Sequence, residues 1–184
     1  MISINTSFSL IIVGPIITES EISYQKGNLM ERLIKSKPLT NNFEQIVSPG
    51  VMRFLDFARL ELPKGESYKG KTADRELIID FFAGNATVSV ETSSGKAFDF
   101  LAQADRQDVF GGPPAMLYVP PKAEYQLTAT NGKLETGLFS APASIDTDPV
   151  LVPTKETTSK KVGQENWQRT VFTSLDNNVA AERL

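Results

Sequence analysis

The stretch Val119–Leu127, VPPKAEYQL, combines a turn signal with a strand signal. Its Pro-Pro pair indicates a turn, because proline presets the backbone for a turn and cannot donate to a strand ladder. Apolar and polar residues then alternate from Ala123 to Leu127. This spacing places successive side chains on opposite faces of a β-strand. We therefore predict a tight turn that opens a half-buried strand.

The same alternation recurs along the rest of the chain. We predict further strands at residues 52–62, 76–82, 86–91, 97–101, 116–119, 125–129, 134–139 and 168–175. Turn-forming pairs lie between them, among them Gly84-Asn85, Ser94-Gly95 and Asn131-Gly132. Asn-Gly in particular favours a hairpin turn whose central residues need positive φ. Short strands separated by turns predict an all-β antiparallel sandwich or barrel, and residues 141–168 read as a connector.

Composition excludes several classes of function. The chain has 184 residues, is 40% hydrophobic and carries a net charge of −3, which suits one globular domain with some extra chain. No basic stripe is present to neutralise phosphates, so we expect no nucleic-acid partner. The chain has no cysteine and no histidine. Disulfides, thiolate nucleophiles, Ser-His-Asp chemistry and histidine metal sites are therefore excluded, and a cytoplasmic location is favoured.

The first thirty residues differ from the rest. Residues 7–17, SFSLIIVGPII, are apolar but fall short of the ~20 residues that a membrane-spanning helix needs. The first cation is Lys26, so the basic flank of a signal peptide is missing. A membrane or signal segment is the alternative, but we expect none. Residues 25–30, QKGNLM, would be encoded by a purine-rich stretch that resembles a ribosome-binding site just upstream of Met30. The hypothesis is that translation starts at Met30 and that residues 1–29 are a non-native or disordered extension.

The order of strands and turns resembles the cupin barrel, a small jelly roll. Gly65 and Gly84 match the glycines of the first cupin motif, and residues 120–122 match the turn of the second. The places of the four metal ligands then fall on Lys71, Ala73, Leu77 and Tyr125. None of these side chains suits a metal at neutral pH. The resemblance implies a metal-free, cupin-like jelly-roll barrel over residues 30–142 with vacant ligand positions.

Three segments resemble the 5-deoxy-glucuronate isomerase family of bacterial inositol catabolism. They are residues 74–90 (DRELIIDFFAGNATVSV), 110–125 (FGGPPAMLYVPPKAEY) and 163–184 (GQENWQRTVFTSLDNNVAAERL). Members of that family are two-cupin proteins with a metal-free first barrel and a divalent metal in the second. The resemblance implies that this chain corresponds to the first half. Residues 143–184 would then be a connector and strand leading toward a missing second barrel.

The family's chemistry implies what such a half lacks. An aldose–ketose isomerase moves a proton between neighbouring carbons, while a divalent metal polarises the carbonyl. We therefore expect no isomerase activity from this chain alone, and no metal bound to it. Its partner would be a separate C-terminal cupin half or a second copy. Two alternatives stay open: a stand-alone metal-free cupin that binds or senses a sugar acid, and a purely structural or interaction barrel.

Several residues are candidates for a site, each with a structural alternative. Arg53, Lys71 and Arg75 together could bind a sugar-acid carboxylate, or could form a solvated rim and structural ion pairs. Asp80 is a functional carboxylate inside the barrel, or is hydrogen-bonded near a strand end or faces solvent. Trp167 lines a sugar site or anchors the connector on a barrel. Tyr125 is expected to fill the barrel, and Lys155–Lys161 to be solvated.

Overall fold

The structure, a computed structural model, describes residues 9–11, 33–35, 39, 42–176 and 178–184. The chain divides into two compact units, Met1–Pro38 and Leu39–Leu184. In the first unit, strand β1 (Ser9–Ile11) pairs antiparallel with β2 (Leu33–Lys35). Apart from β1, the hypothesis about residues 1–29 falls outside the described residues.

The long elements of the second unit are all strands. They are β3 (Phe43–Val47), β4 (Asp56–Leu62), β5 (Ser67–Lys71), β6 (Arg75–Glu91), β7 (Ala97–Gln103), β8 (Ala115–Val119), β9 (Glu124–Pro142), β10 (Val150–Val152), β11 (Thr158–Val162) and β12 (Arg169–Thr173). Two single turns of 3-10 helix occupy Thr154–Glu156 and Glu165–Trp167. Among the residues described, no helix therefore has the length and apolarity to span a bilayer.

One eight-stranded antiparallel sheet carries the fold. Its hydrogen-bonded path is β10-β8-β6-β9-β4-β3, with β5 added to β9 and β7 added to β6. The two longest strands, β6 and β9, pair from Arg75 opposite Pro142 to Glu91 opposite Glu124. The predicted all-β, antiparallel, jelly-roll type of fold is confirmed. Among the described strands, however, the hydrogen-bonded path is open and does not close into a ring.

Two of the predicted turns are bulges instead. Gly84-Asn85 lies inside β6 and Asn131-Gly132 lies inside β9, with Asn85 opposite Asn131 where the register shifts. Gly84 has φ +85° and Gly132 has φ +75°, in the left-handed region that favours glycine. A bulge needs this conformation as much as a turn does, and it bends the strand. Each strand therefore continues past its glycine. Beyond the bulge it pairs with a different strand on its other edge, while β6 and β9 stay paired with each other.

The predicted turn at Pro120-Pro121 is confirmed, and a second turn holds it in place. Thr72 Oγ1 donates to the carbonyl of Pro120 at 2.8 Å and accepts from the Ala123 amide at 2.9 Å. The Lys122 amide donates to the carbonyl of Ala73 at 2.6 Å. These bonds fix where β9 begins, and hence which of its side chains face inward.

The main core lies on one face of the bent sheet. Fully buried members from both halves of β6 and from its neighbours are Leu60, Ile79, Phe81, Val88, Leu117, Leu127 and Leu134. Both halves of β6 therefore enclose a common apolar interior. The predicted strand at residues 52–62 is shorter than expected, because β4 begins only at Asp56.

A second, smaller core covers the opposite face of β6 and β8. It contains Ile78, Tyr118, Val152 and Val179, with Leu184 packed against it. Residues 143–184 therefore do more than the predicted connector would: β10 pairs with β8, and the last residues pack on the sheet. The predicted strand at 168–175 is confirmed as β12.

Candidate functional site

The four vacant cupin ligand positions do not meet at one open site. Leu77 and Tyr125 are buried members of the main core, at 5% and 7% exposure. Lys71 ends β5 with an exposed side chain that pairs with Glu124. Ala73 lies in the turn between β5 and β6 with φ +50°. Among the described residues, no group of three or more acidic side chains could hold a metal ion.

Tyr125 fills the interior, as the sequence predicts for this position. Its ring lies against Gly70 so closely that a Cβ there would collide with it. The Tyr68 ring is tilted against it at 6.3 Å between centroids, and Phe43 stacks on Tyr68. Burial raises the pKa of the Tyr125 hydroxyl above its usual range. This packing leaves Tyr125 a neutral, space-filling side chain.

Two of the three predicted cations converge on Phe54. The Arg75 guanidinium pairs with Asp56 at 2.6 Å and donates to the carbonyls of Ser140 and Phe54 at 3.0 and 3.1 Å. Arg53 lies over the Phe54 ring, 4.8 Å from its centroid. Arg75 is thus committed to structural contacts. Lys71 does not join this group.

Sequence reasoning missed a second arginine at the same ring. The guanidinium of Arg183 lies 5.0 Å from the Phe54 centroid, so two arginines contact one aromatic ring. Phe54 itself is 44% exposed. Arg53 forms no ion pair with any described residue, which leaves its charge available to an anion from solvent.

A groove of about 350 Å³ with a mixed polar and apolar lining lies beside Lys71, across β5, β9, β6 and β7. One row of cross-strand neighbours passes through it: Lys69, Gln126, Ser89 and Asp99. A second groove of about 530 Å³ shares the last three of these and adds Thr87 and Thr128. Cation, amide, hydroxyl and carboxylate groups in one row can satisfy the hydroxyls and the carboxylate of a sugar acid.

Glu76 is a fully buried carboxylate that the sequence did not single out. It accepts hydrogen bonds from the backbone amides of Glu182, Arg183 and Leu184 at 2.8, 2.6 and 2.8 Å. The Tyr118 hydroxyl adds a fourth bond at 3.2 Å. A buried charge needs such partners, so the last residues of the chain satisfy Glu76. The role of this carboxylate is to hold the final segment on the sheet.

Asp80 lies on the face of β6 opposite the main core and pairs with Arg106 at 3.3 Å. Arg106 also donates to the carbonyls of Phe81, Phe82 and Gly112. Burial raises the pKa of Asp80 to about 6, and the Arg106 charge opposes that rise. The side chain therefore does not point into the interior. The first expectation, a functional carboxylate inside the barrel, does not fit this position. Its geometry fits an ion pair that fastens the 105–114 loop.

Trp167 belongs to the hairpin that contains β11 and β12. Its ring packs over Gly163 in the same hairpin, and 59% of the residue is exposed. Val171 and Phe172 on β12 are also exposed, at 41% and 42%. These three exposed apolar side chains belong to neither core.

The chain matches one protein family and resembles a solved structure from it. The sequence profile of the KduI/IolB family matches residues 33–184. The crystal structure of an IolB-like protein from Salmonella typhimurium LT2 is similar at 25% identity with a TM-score of 0.66; the match covers 77% of this chain. This chain spans 56% of the length of that protein. A search of curated proteins found no match.

Two oxalate decarboxylases show a weaker likeness. A mutant of the Bacillus subtilis enzyme is 16% identical with a TM-score of 0.40, over 51% of this chain and 22% of that one. The Lactobacillus farciminis enzyme is 14% identical with a TM-score of 0.40, over 50% of this chain and 25% of that one. These likenesses are too slight to support a conclusion about this chain.

Proposed function

The chain belongs to the KduI/IolB family, and from that premise we propose that it is the metal-free N-terminal half of a 5-deoxy-glucuronate isomerase-like protein. The family match confirms the resemblance predicted from the sequence, and with it an isomerase-like domain. The finer proposal is that this half serves sugar-acid isomerisation in inositol catabolism only together with a second barrel. It would work in the cytoplasm.

The filled interior is the single observation that carries this proposal. A cupin metal needs ligands that converge on an open cavity, but Leu77 and Tyr125 occupy the core and Lys71 is tied to Glu124. These residues do not fit a divalent cation, because they offer neither imidazole nor converging carboxylates. No step of the reaction is therefore assigned to this chain. Its match to 56% of the IolB-like protein supports the idea that another part supplies the chemistry.

Turnover measured on the purified chain tests the proposal. We expect no conversion of 5-deoxy-glucuronate to its keto isomer, with or without added Mn²⁺, Fe²⁺ or Zn²⁺. Proton NMR measures the conversion. A chain extended by the second barrel of a family member is the matched positive sample. Metal-dependent turnover by the 184-residue chain alone would contradict the proposal.

A second function is favoured by the groove beside Lys71. A stand-alone, metal-free cupin would hold a sugar acid there, with Lys69 or Lys71 facing the carboxylate and Gln126 and Ser89 facing the hydroxyls. Arg53 at the Phe54 ring offers a second cation for the same class of ligand. A ligand that binds only the folded chain must raise its melting temperature.

A thermal shift with glucuronate and galacturonate separates the two functions. We expect the binder to show a concentration-dependent rise in Tm that the Lys69→Ala variant loses. Lys64→Ala is the matched control, because Lys64 is exposed and lies outside the groove. No shift at any concentration removes the binding function and leaves the first proposal standing.

A further inference from the structure

The hairpin of β11 and β12 is a ribbon without a partner in the described part of the chain. Its two strands form a separate two-stranded sheet, from Thr158 opposite Thr173 to Val162 opposite Arg169. Every residue of β12 is exposed, and so are four of the five in β11. A two-stranded ribbon is marginally stable in water when nothing covers it. Its stability therefore calls for a further strand or surface.

The base of this ribbon is fixed to the sheet. Thr157 Oγ1 donates to the carbonyl of Pro114 at 3.0 Å and is bonded to Ser174 Oγ at 2.8 Å. Ser174 is buried at 5% exposure, directly after β12. The ribbon thus begins and ends at an anchored point, which makes its edges available in a defined place.

The two edges of the ribbon differ in charge. β11 carries Lys160 and Lys161 in its middle, and lysines on an edge strand oppose pairing with another strand. β12 has the uncharged run Thr170-Val171-Phe172-Thr173, which is rich in residues that favour strands. Only β11 is protected against edge-to-edge pairing, so β12 is the edge open to a partner.

We propose that β12 pairs antiparallel with β12 of a second copy of this chain across a two-fold axis. Centred on Val171, this pairing sets Val171 opposite its own copy, Thr170 opposite Phe172, and Arg169 opposite Thr173. No like charges then face each other. The same operation on β11 would set Lys160 opposite Lys160, which is destabilising. The charge pattern of β12 thus suits a second copy, and the resulting interface is isologous.

The product is a four-stranded sheet in the order β11-β12-β12-β11. Both of its outer edges carry the lysine pairs, so assembly stops at the dimer. Val171 and Phe172 gain cross-strand neighbours on opposite faces of the new sheet. The inference rests on the ribbon alone and does not depend on the proposed function.

Single-cysteine crosslinking is a sharp test, because the natural chain has no cysteine. Facing residues of an antiparallel pair have Cβ atoms ~4.5–5.5 Å apart, close to what a disulfide needs. We expect Val171→Cys to form a covalent dimer under mild oxidation, with Lys160→Cys on β11 as the matched control that stays monomeric. Equal crosslinking by both variants, or none by Val171→Cys, overturns the two-fold pairing.

Sedimentation analysis over a range of concentrations measures the same contact without a covalent bond. We expect a monomer–dimer equilibrium for the natural chain, weakened about tenfold by Val171→Glu, because two glutamates then face each other across the axis while each still faces Lys160 in its own ribbon. Ser159→Glu on β11 is the control and should leave the equilibrium unchanged. Circular dichroism and Tm confirm that each variant is folded. A natural chain that is monomeric at every concentration contradicts the proposal.

Discussion

The eight-stranded sheet, which we call the body, and the β11–β12 ribbon both consist of antiparallel strand pairs. Their side chains nevertheless meet opposite surroundings. β6 buries Ile79 and Phe81 completely, whereas β12 exposes all five of its residues. In the body, strand pairing and apolar burial stabilise the same arrangement; in the ribbon, pairing acts almost alone. Strand pairing therefore does not by itself commit a segment to a core. Substitutions in the body should change the free energy of unfolding, and those in the ribbon should change association.

The largest expected effect comes from Glu76. In Glu76→Gln, one acceptor becomes an NH₂ donor that faces backbone amides, so buried donors lose their partner. We expect the free energy of unfolding to fall by about 3 kcal/mol, measured by urea denaturation. Glu124→Gln is the control, because its exposed pair with Lys71 contributes less than about 1 kcal/mol. A similar loss for both variants would contradict the role given to the buried carboxylate.

Gly70→Ala should cost somewhat less, about 2 kcal/mol, because its Cβ collides with the Tyr125 ring. The double variant Gly70→Ala/Tyr125→Leu opens the space that the methyl group needs. We therefore expect the two changes to be non-additive, with the double variant more stable than the sum of the single losses implies. Additive losses would mean that the ring does not constrain this glycine.

Asp80 makes a prediction about pH. Its pKa is about 6 in the folded chain and ~3.9 when unfolded, so between these values the folded state binds more protons. Stability from this group is therefore gained as the pH falls and lost as it rises through that window. Relative to Asp80→Asn, the natural chain should gain about 2 kcal/mol of unfolding free energy between pH 7 and 4.5. The unfolding free energies come from urea denaturation at each pH. If they changed with pH by the same amount in both proteins, burial would not raise the pKa of this carboxyl.

The smallest effect is expected in the ribbon. Trp167→Ala removes a ring that packs on Gly163 but not on either core. At a concentration where the chain is monomeric, the free energy of unfolding should change by less than about 0.5 kcal/mol. The measurement is urea denaturation, monitored by circular dichroism. A larger change would mean that the ring contacts the body, so that the ribbon is not independent of it.

The sequence predicted the strands well where the signal is local. Alternation identified most of the ladder, and Pro120-Pro121 marked a true turn. It misjudged Gly84-Asn85 and Asn131-Gly132, because a turn and a bulge both need glycine at positive φ. The deciding information is that these pairs face each other across two strands, and no local pattern records that pairing.

The candidate site was less accessible to sequence reasoning. Arg53 and Arg75 were predicted together and do meet at Phe54, but Lys71 belongs to a different groove. The roles of Glu76 and Arg183 left no signal at all. Glu76 and its first backbone donor, Glu182, are 106 positions apart, so only the folded chain brings them together.

The two bulges, which face each other across β6 and β9, also determine whether part of the sheet can unfold by itself. Because β6 and β9 each run unbroken through their glycines, both halves of the sheet share the same two backbones. Neither half can detach without breaking the ladder between these strands. Amide hydrogens from Leu77 to Val90 should therefore exchange with solvent at one common, global rate, while those of β12 exchange far earlier through local fraying.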